Sequence, residues 1–288
     1  MVFHKNYFYF LILILFSVWL SAFSIDNKLH IIACDVGQGD AILLQKNTTQ
    51  ILIDGGPNQK VLDCLGKHMP FWDRTVEVVF LTHPDIDHYG GLIDVFKSYK
   101  VVHYFGNGSI SSSQEYKVLE SLVGGKGIKV QSAARGMVIR VGMIYLDILN
   151  PKNNNQYPII NNQTDGDNDQ SIVILLIYDR FKALFTGDAE TEVSDLIATR
   201  PEMGEVNYLK VNHHGSKNGL SEKLIHQAVS GSLPRPIIGV ISAGKNNRYG
   251  HPHKEVLDLL KKYNVKILRT DEVEDVVIKT DGNKFWSK

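Results

Sequence analysis

Cysteine is almost absent: Cys34 and Cys64 are the only two in 288 residues. That scarcity excludes a disulfide-scaffold protein. Net charge is absent as well, because 31 Lys and Arg balance 31 Asp and Glu. A globally basic nucleic-acid binder is therefore unsupported, although a local basic patch is allowed. There is no internal repeat, heptad seam or low-complexity tail. Beyond the N-terminus no apolar run approaches the ~20 residues of a membrane span. The remaining composition is 43% hydrophobic and 22% charged, which excludes whole-chain disorder. The length suits one large domain or two small ones.

The N-terminus stands apart. His4 and Lys5 precede an almost unbroken apolar run from Tyr7 to Leu20, followed by Ser21, Ala22, Phe23 and Ser24. A charged start, an apolar middle and small residues at the −3 and −1 positions (Ala22, Ser24) are the layout of a secretory signal. Residues 1–24 read as a signal peptide or an uncleaved signal anchor, and either puts the domain of residues 28–282 outside the cytoplasm. In an exported chain the two cysteines permit one disulfide. Two buried thiols is the preferred reading, and neither Cys has a catalytic role.

From Leu29 strands and helices alternate. Short β-runs are expected at His30–Val36, Ala41–Gln45 and Gln50–Asp54, the first two joined by the turn Gly37-Gln38-Gly39-Asp40. Val76–Thr82, Val101–Phe105, Lys129–Gln131, Met137–Arg140 and Met143–Leu149 follow as strands. Helices are expected at Gln59–His68, Gly90–Tyr99 and Ser113–Val123. Ser171–Tyr178 and Phe181–Phe185 read as a hairpin. The strands Val206–Val211, Pro236–Ser242, Val265–Ile267 and Val273–Ile278 then alternate with helices at Ala189–Thr199, Ser221–Val229 and Lys254–Tyr263. All-apolar strands such as Val78–Leu81 and Ile172–Ile177 need cover on both faces. Two packed mixed sheets with helices outside supply it. The long loop Pro151–Gln170 is rich in Asn and Asp. Its Asp165, Asp167 and Asp169 do not make an EF-hand, because Gln170 and Leu176 stand where Gly and Glu are required.

The chemistry-bearing residues follow strands. His83-Pro84-Asp85-Ile86-Asp87-His88 comes directly after the buried strand Val78–Leu81 and packs four metal-competent side chains into six positions. Imidazole and carboxylate together suit Zn, Mn or Fe. Asp54 ends another apolar strand and can orient a ligand histidine. Gly187-Asp188 follows Ala183–Phe185, where the Asp can bridge two cations or cap the next helix. His213-His214-Gly215-Ser216 ends a strand with adjacent imidazoles, one for metal and one for substrate. The polar loop Ser242–Pro252 offers Lys245, Asn246, Arg248, Tyr249 and His251 to an anion.

Together these strings resemble the metallo-β-lactamase superfamily. More narrowly, they are similar to the branch at the C-terminal end of the DNA-uptake channel ComEC. Asp35-Val36-Gly37-Gln38-Gly39-Asp40-Ala41, the metal loop, Thr186-Gly187-Asp188, His213–Ser216 and Tyr249-Gly250-His251-Pro252 match that branch in order over roughly Lys28 to Gly282. The resemblance implies a four-layer αββα sandwich, an α/β fold, with two divalent metal ions, Zn or Mn, at one edge. By position His83 and Asp85 would bind one metal, and Asp87, His88 and His214 the other, with Asp188 bridging. Asp87 and His213 would serve catalysis, His213 near substrate, and Asp54 would support a ligand. The order of His213 and His214 stays open. Asp85 stands where many members have His, and no mid-chain His ligand is evident. His103 reads as a core residue, and Asn168 or Ser171 occupies that region. Fewer nitrogens shift preference toward Mn or a weaker first Zn site.

The leading expectation is an exported metal-dependent phosphodiesterase or nuclease acting on DNA. Residues 206–262 carry nine Lys or Arg against three Asp or Glu, a basic flank suited to a phosphate backbone. A cell-envelope esterase acting on a phosphocholine-bearing polymer is the second reading. A binding domain with a degenerate metal site is the third. The expected partners are a phosphodiester substrate and, with the N-terminal segment retained, the membrane. No protein partner is deducible.

Overall fold

The computed structural model describes residues 7–14, 26–125, 127–152, 168–231 and 237–287. Residues 7–14 are helical (α1) with exposed side chains. The rest of the expected leader, the loop residues 153–167 and Pro236 lie outside the described residues. Among the described residues no helix is long and apolar enough to cross a membrane.

Two sheets form the body. The first has eight strands, in the order β15-β14-β1-β2-β3-β4-β5-β6. They are β1 (Leu29–Ala33), β2 (Ile42–Lys46), β3 (Thr49–Ile53), β4 (Thr75–Leu81), β5 (Lys100–Gly106), β6 (Lys129–Ser132), β14 (Val276–Thr280) and β15 (Phe285–Ser287). The second has seven strands, in the order β13-β12-β11-β10-β9-β8-β7. These are β7 (Val138–Val141), β8 (Ile144–Asn150), β9 (Val173–Tyr178), β10 (Phe181–Phe185), β11 (Tyr208–Lys210), β12 (Ile238–Ile241) and β13 (Lys266–Arg269). β3 to β6 run parallel, as do β10 to β13.

Each sheet buries both faces, which explains the unbroken apolar strands. One core, with Ile31, Leu44, Phe80, Ile174 and Phe185, lies between the sheets. A second, with Leu43, Leu52, Val79 and Leu81, lies under α2 (Lys60–His68), α4 (Leu92–Ser98) and α5 (Gln114–Gly125). A third, with Leu175, Leu184 and Leu209, lies under α6 (Thr191–Ala198), α7 (Glu222–Val229) and α8 (Lys254–Lys262). The layers are αββα. α2 shows how such a helix arises: Val61, Cys64 and Leu65 fall three and four residues apart and are buried, while Lys67 and His68 sit at its negative C-terminal end.

Three short elements depart from the sequence expectations. The metal loop contains a helical turn, α3 (Ile86–Tyr89), capped at Asp85. Residues Thr270–Val273, partly expected as strand, form α9 ahead of β14. β15 adds an edge strand beyond Gly282. The cysteines also differ: Cys34 and Cys64 form a disulfide with a Cα–Cα distance of 5.8 Å, in place of two buried thiols. The strand exit after β1 and the middle of α2 are neighbours across the second core, which thirty residues of sequence separation did not reveal.

Candidate metal centre

The loops after β3, β4, β10, β11 and β12 and the β1–β2 turn converge at one edge of the sandwich. Backbone bonds stitch them together. Asp40 N–H donates to Asp87 O (3.1 Å), Gly55 N–H to His88 O (2.7 Å), Ile172 N–H to Thr82 O (3.0 Å) and His213 N–H to Gly187 O (3.1 Å). Gly39 allows this approach, since a Cβ there would stand 2.2 Å from Asp87 O. Gly215, at φ +83°, does the same for the last loop, where a Cβ would meet the Pro252 Cβ at 2.5 Å.

The donors form two groups, His83–His88–Asp188 and Asp87–His88–His214, each with ligand atoms within 4.8 Å of one another. Asp188 Oδ2 lies 3.4 Å from His88 Nε2 and 3.3 Å from His214 Nε2, so one carboxylate faces both groups. His214 Nε2 is also 3.4 Å from Asp87 Oδ2. Asp85 reaches only His83, at 3.5 Å, and its side chain is 35% exposed.

His213 and His214 separate by backbone geometry. Both stand at positive φ, 48° and 53°, a conformation rare for side-chain-bearing residues. His214 turns into the buried cluster, with Nδ1 at 3.0 Å from Ser242 O. That bond places the proton on Nδ1 and leaves Nε2 as the donor atom. His213 stays partly exposed, its Nε2 3.6 Å from Asp188.

Asp54 is buried and bound three times: Thr82 N–H and Oγ1 each donate to it at 2.7 Å, and His88 Nδ1 lies at 2.8 Å. It fixes the His88 ring so that Nε2 faces the cluster. Ser171 meets the site from β9's start, accepting from Asp188 N–H at 3.2 Å and lying 3.4 Å from His83 Nδ1. Asn168 instead bonds Glu190. His103 is half-buried on β5 against Glu77 O. On the β12 loop, the ring of His251 is 5.8 Å from His213 and 6.5 Å from His214, with Tyr249 stacked beyond it at 5.6 Å. Arg248 bonds the Tyr249 hydroxyl. Lys245 and Asn246 are exposed and make no contact with the donors.

Electrostatics follow from this crowding. Burial works against the imidazolium of His88, but Asp188 and Asp54 outweigh it and hold the group well above the usual range. Burial likewise opposes charge on His214, yet Asp188 and Asp40 lift it to about 10. Burial raises Asp87, and His214 and His88 bring it down to about 2. Burial also raises Asp188, and the same two histidines pull it well below the usual carboxylate range. His251 falls to about 4, first through burial and then through His214 and His213.

A divalent cation fits this chemistry. His83 Nε2, His88 Nε2, His214 Nε2 and Asp188 Oδ1 are buried without a hydrogen-bond partner, and all belong to residues of these two donor groups. Unpaired buried polar atoms are costly, and metal coordination is one way to satisfy them.

The model of the metallo-beta-lactamase superfamily matches residues 34–109. The chain carries a metallo-beta-lactamase domain. It is 29% identical over 257 residues to ComE operon protein 3 of Bacillus subtilis, covering 83% of this chain and 31% of that protein. It is 30% identical over 240 residues to Recombination protein 2 of Haemophilus influenzae, covering 82% of this chain and 27% of that protein. The chain thus spans about 30% of the length of these relatives. Among solved structures, the metallo-beta-lactamase fold protein YhfI from Bacillus subtilis superposes with a TM-score of 0.57 at 12% identity, covering 88% of this chain and all of that one. CmlA, a diiron beta-hydroxylase from Streptomyces venezuelae, gives 0.55 at 12% identity over 89% of this chain and 55% of its own.

Two residues beside this site were given no role in it by the sequence reading. Lys210, fully buried at the end of β11, pairs with Asp40 at 2.7 Å, and Asp40 Oδ1 lies 3.6 Å from His214 Nδ1. A lone lysine inside the apolar run Val206–Val211 was the available signal, because a buried cation demands a partner.

Proposed function

We propose that the chain is an exported, metal-dependent phosphodiesterase or nuclease. The observation that carries it is the pair of His and Asp groups that share His88, with Asp188 Oδ2 3.4 Å from His88 Nε2 and 3.3 Å from His214 Nε2. Divalent ions at paired positions polarise a phosphoryl oxygen and stabilise both the attacking and the leaving oxygen of an in-line displacement. His83, Asp85 and Asp188 would hold one ion, and Asp87, His88, His214 and Asp188 the other. Asp54 and the Ser242 carbonyl keep the His88 and His214 rings turned inward. His213, on the solvent side of Asp188, is set to meet substrate, with His251 and Arg248 on the adjoining loop. Arg248, exposed on that loop, gives a phosphate a cationic contact.

The test is metal content together with bis(p-nitrophenyl) phosphate hydrolysis, with Asp87→Ala alongside. About two ions per chain and loss of turnover in the variant support the reading, and DNA then becomes the substrate to try. Bound metal without phosphodiester turnover favours an envelope ester. No metal and no turnover with added Zn or Mn leave a binding domain.

A further inference from the structure

The end of the first sheet opposite the metal centre carries a different set of side chains. β1 and β3 begin there, β2 and β14 end there, and the chain enters the fold at Asp26. The chain has three tryptophans. Trp19 lies in the apolar N-terminal run, while Trp72 and Trp286 are 40% and 43% exposed around this entry point. Phe71 is 68% exposed and meets Trp72 edge-on, with ring centroids 4.9 Å apart. Lys28 lies 4.8 Å over the Trp286 ring. Trp72 also lines a cavity of about 280 Å³ walled by Lys28, His30, His68 and Lys279. The one carboxylate on that wall, Asp26, is already bonded to His30 and Lys279.

We propose that this end of the sandwich seats on an anionic lipid bilayer, with Phe71, Trp72 and Trp286 among the headgroups and the metal centre facing away. Indole rings and lysine stems are amphipathic and settle where hydrocarbon meets water. Lysines at an anionic surface gain further attraction. Connectivity favours the same orientation. Leu20, at the end of the apolar run, and Asp26 are only six positions apart, and six residues reach at most about 20 Å. A bilayer holding the run therefore holds this end close. β4 spans seven residues between the two ends, about 23 Å, which sets the standoff of the metal centre. The inference does not depend on the phosphodiester reading.

The test uses the full chain with Trp19→Phe and Trp286→Phe, which leaves Trp72 as the sole tryptophan. A companion with Trp19→Phe and Trp72→Phe reports on Trp286. Circular dichroism confirms the fold of each. With vesicles of phosphatidylcholine and phosphatidylglycerol containing brominated phospholipid, the chain should float with the vesicles. The emission of each reporter should shift to the blue and be quenched. Leaving out phosphatidylglycerol should lessen the quenching, and equal quenching would overturn the anionic part of the proposal. A chain that floats with both tryptophans unquenched has its sandwich turned away from the bilayer, and the proposal fails. It fails equally when the chain does not float.

Discussion

Lys210→Met probes the charge balance behind His214. The Lys210 ammonium is fully buried and donates to Asp40 Oδ2 at 2.7 Å and to Val211 O at 3.0 Å. At an effective dielectric of 20, opposite unit charges at that first distance attract by about 6 kcal/mol. Desolvating the two ions takes back several kcal/mol each, so the intact pair contributes little net stability. Removing the lysine alone is different: the Asp40 carboxylate is left buried, with Oδ1 already lacking a hydrogen-bond donor. The expected loss is about 3–5 kcal/mol. In a domain of this size that lowers Tm by about 6–20 °C. Urea unfolding of the metal-free protein, followed by circular dichroism, measures it. The double variant Asp40→Asn/Lys210→Met should recover most of the loss, since no charge then remains buried there. A single variant within about 1 kcal/mol of wild type, or a double variant no better than the single, would refute the reasoning.

Asp54→Ala removes the carboxylate that orients His88 and should weaken zinc binding by about 10- to 100-fold in calorimetric titration; unchanged affinity would show that the ring is held by packing alone. Replacing Cys34 and Cys64 by Ala opens a loop with a sequence separation of 30. Chain entropy then predicts a loss of about 3.6 kcal/mol in urea unfolding, and reduction of the wild type should match it. Asp275 lies against burial, which raises its pKa, but bonds from His68 and Lys67 win and hold it well below the usual range. A carboxylate depressed by folding stabilises above its unfolded value, about 3.9, and that gain is lost as pH falls through the folded value. Asp275→Asn should therefore cost about 1–2 kcal/mol at pH 7, with a gap from wild type that shrinks steadily below about pH 4; a gap constant over that range would count against the bond network.

The parts of this fold that were legible in the sequence are those where one residue pattern serves one layer. Val78–Leu81 and Ile172–Ile177 are apolar on both faces because a sheet packs on one side and helices on the other. Such runs announced buried strands, and the polar motifs following them marked the edge where ligands gather. What stayed hidden depends on distance through space. The α3 turn is only four residues long and carries more ligands than core contacts, so no periodicity betrays it. His213 and His214 are adjacent and chemically identical; positive φ at both positions, held by the bond from His213 to Gly187, turns one inward and leaves the other at the surface. Ser171 and Asn168 were equally placed by sequence, and only the β9 register brings the serine to Asp188.

The two donor groups are unequal, and the inequality has a source in the sequence. The Asp87–His88–His214 group has both imidazoles buried, each fixed from behind by an oxygen: Asp54 for His88 and the Ser242 carbonyl for His214. The other group shares His88, and the imidazole of its own, His83, has only hydroxyls behind it, Thr82 at 3.1 Å and Ser171 at 3.4 Å. Its nearest carboxylate, Asp85, is partly in water. The Thr82 hydroxyl gives its proton to Asp54 and so accepts from His83 Nδ1, but a neutral oxygen raises imidazole basicity less than a carboxylate does. With Ser171 in the region where a further imidazole is lacking, this position is richer in oxygen and looser in geometry. Oxygen-rich, partly hydrated positions suit harder ions and bind zinc less tightly. Asp188 then matters more than its single side chain suggests: grouped with His83 and His88, and 3.3 Å from His214 Nε2, it ties the weaker position to the stronger one.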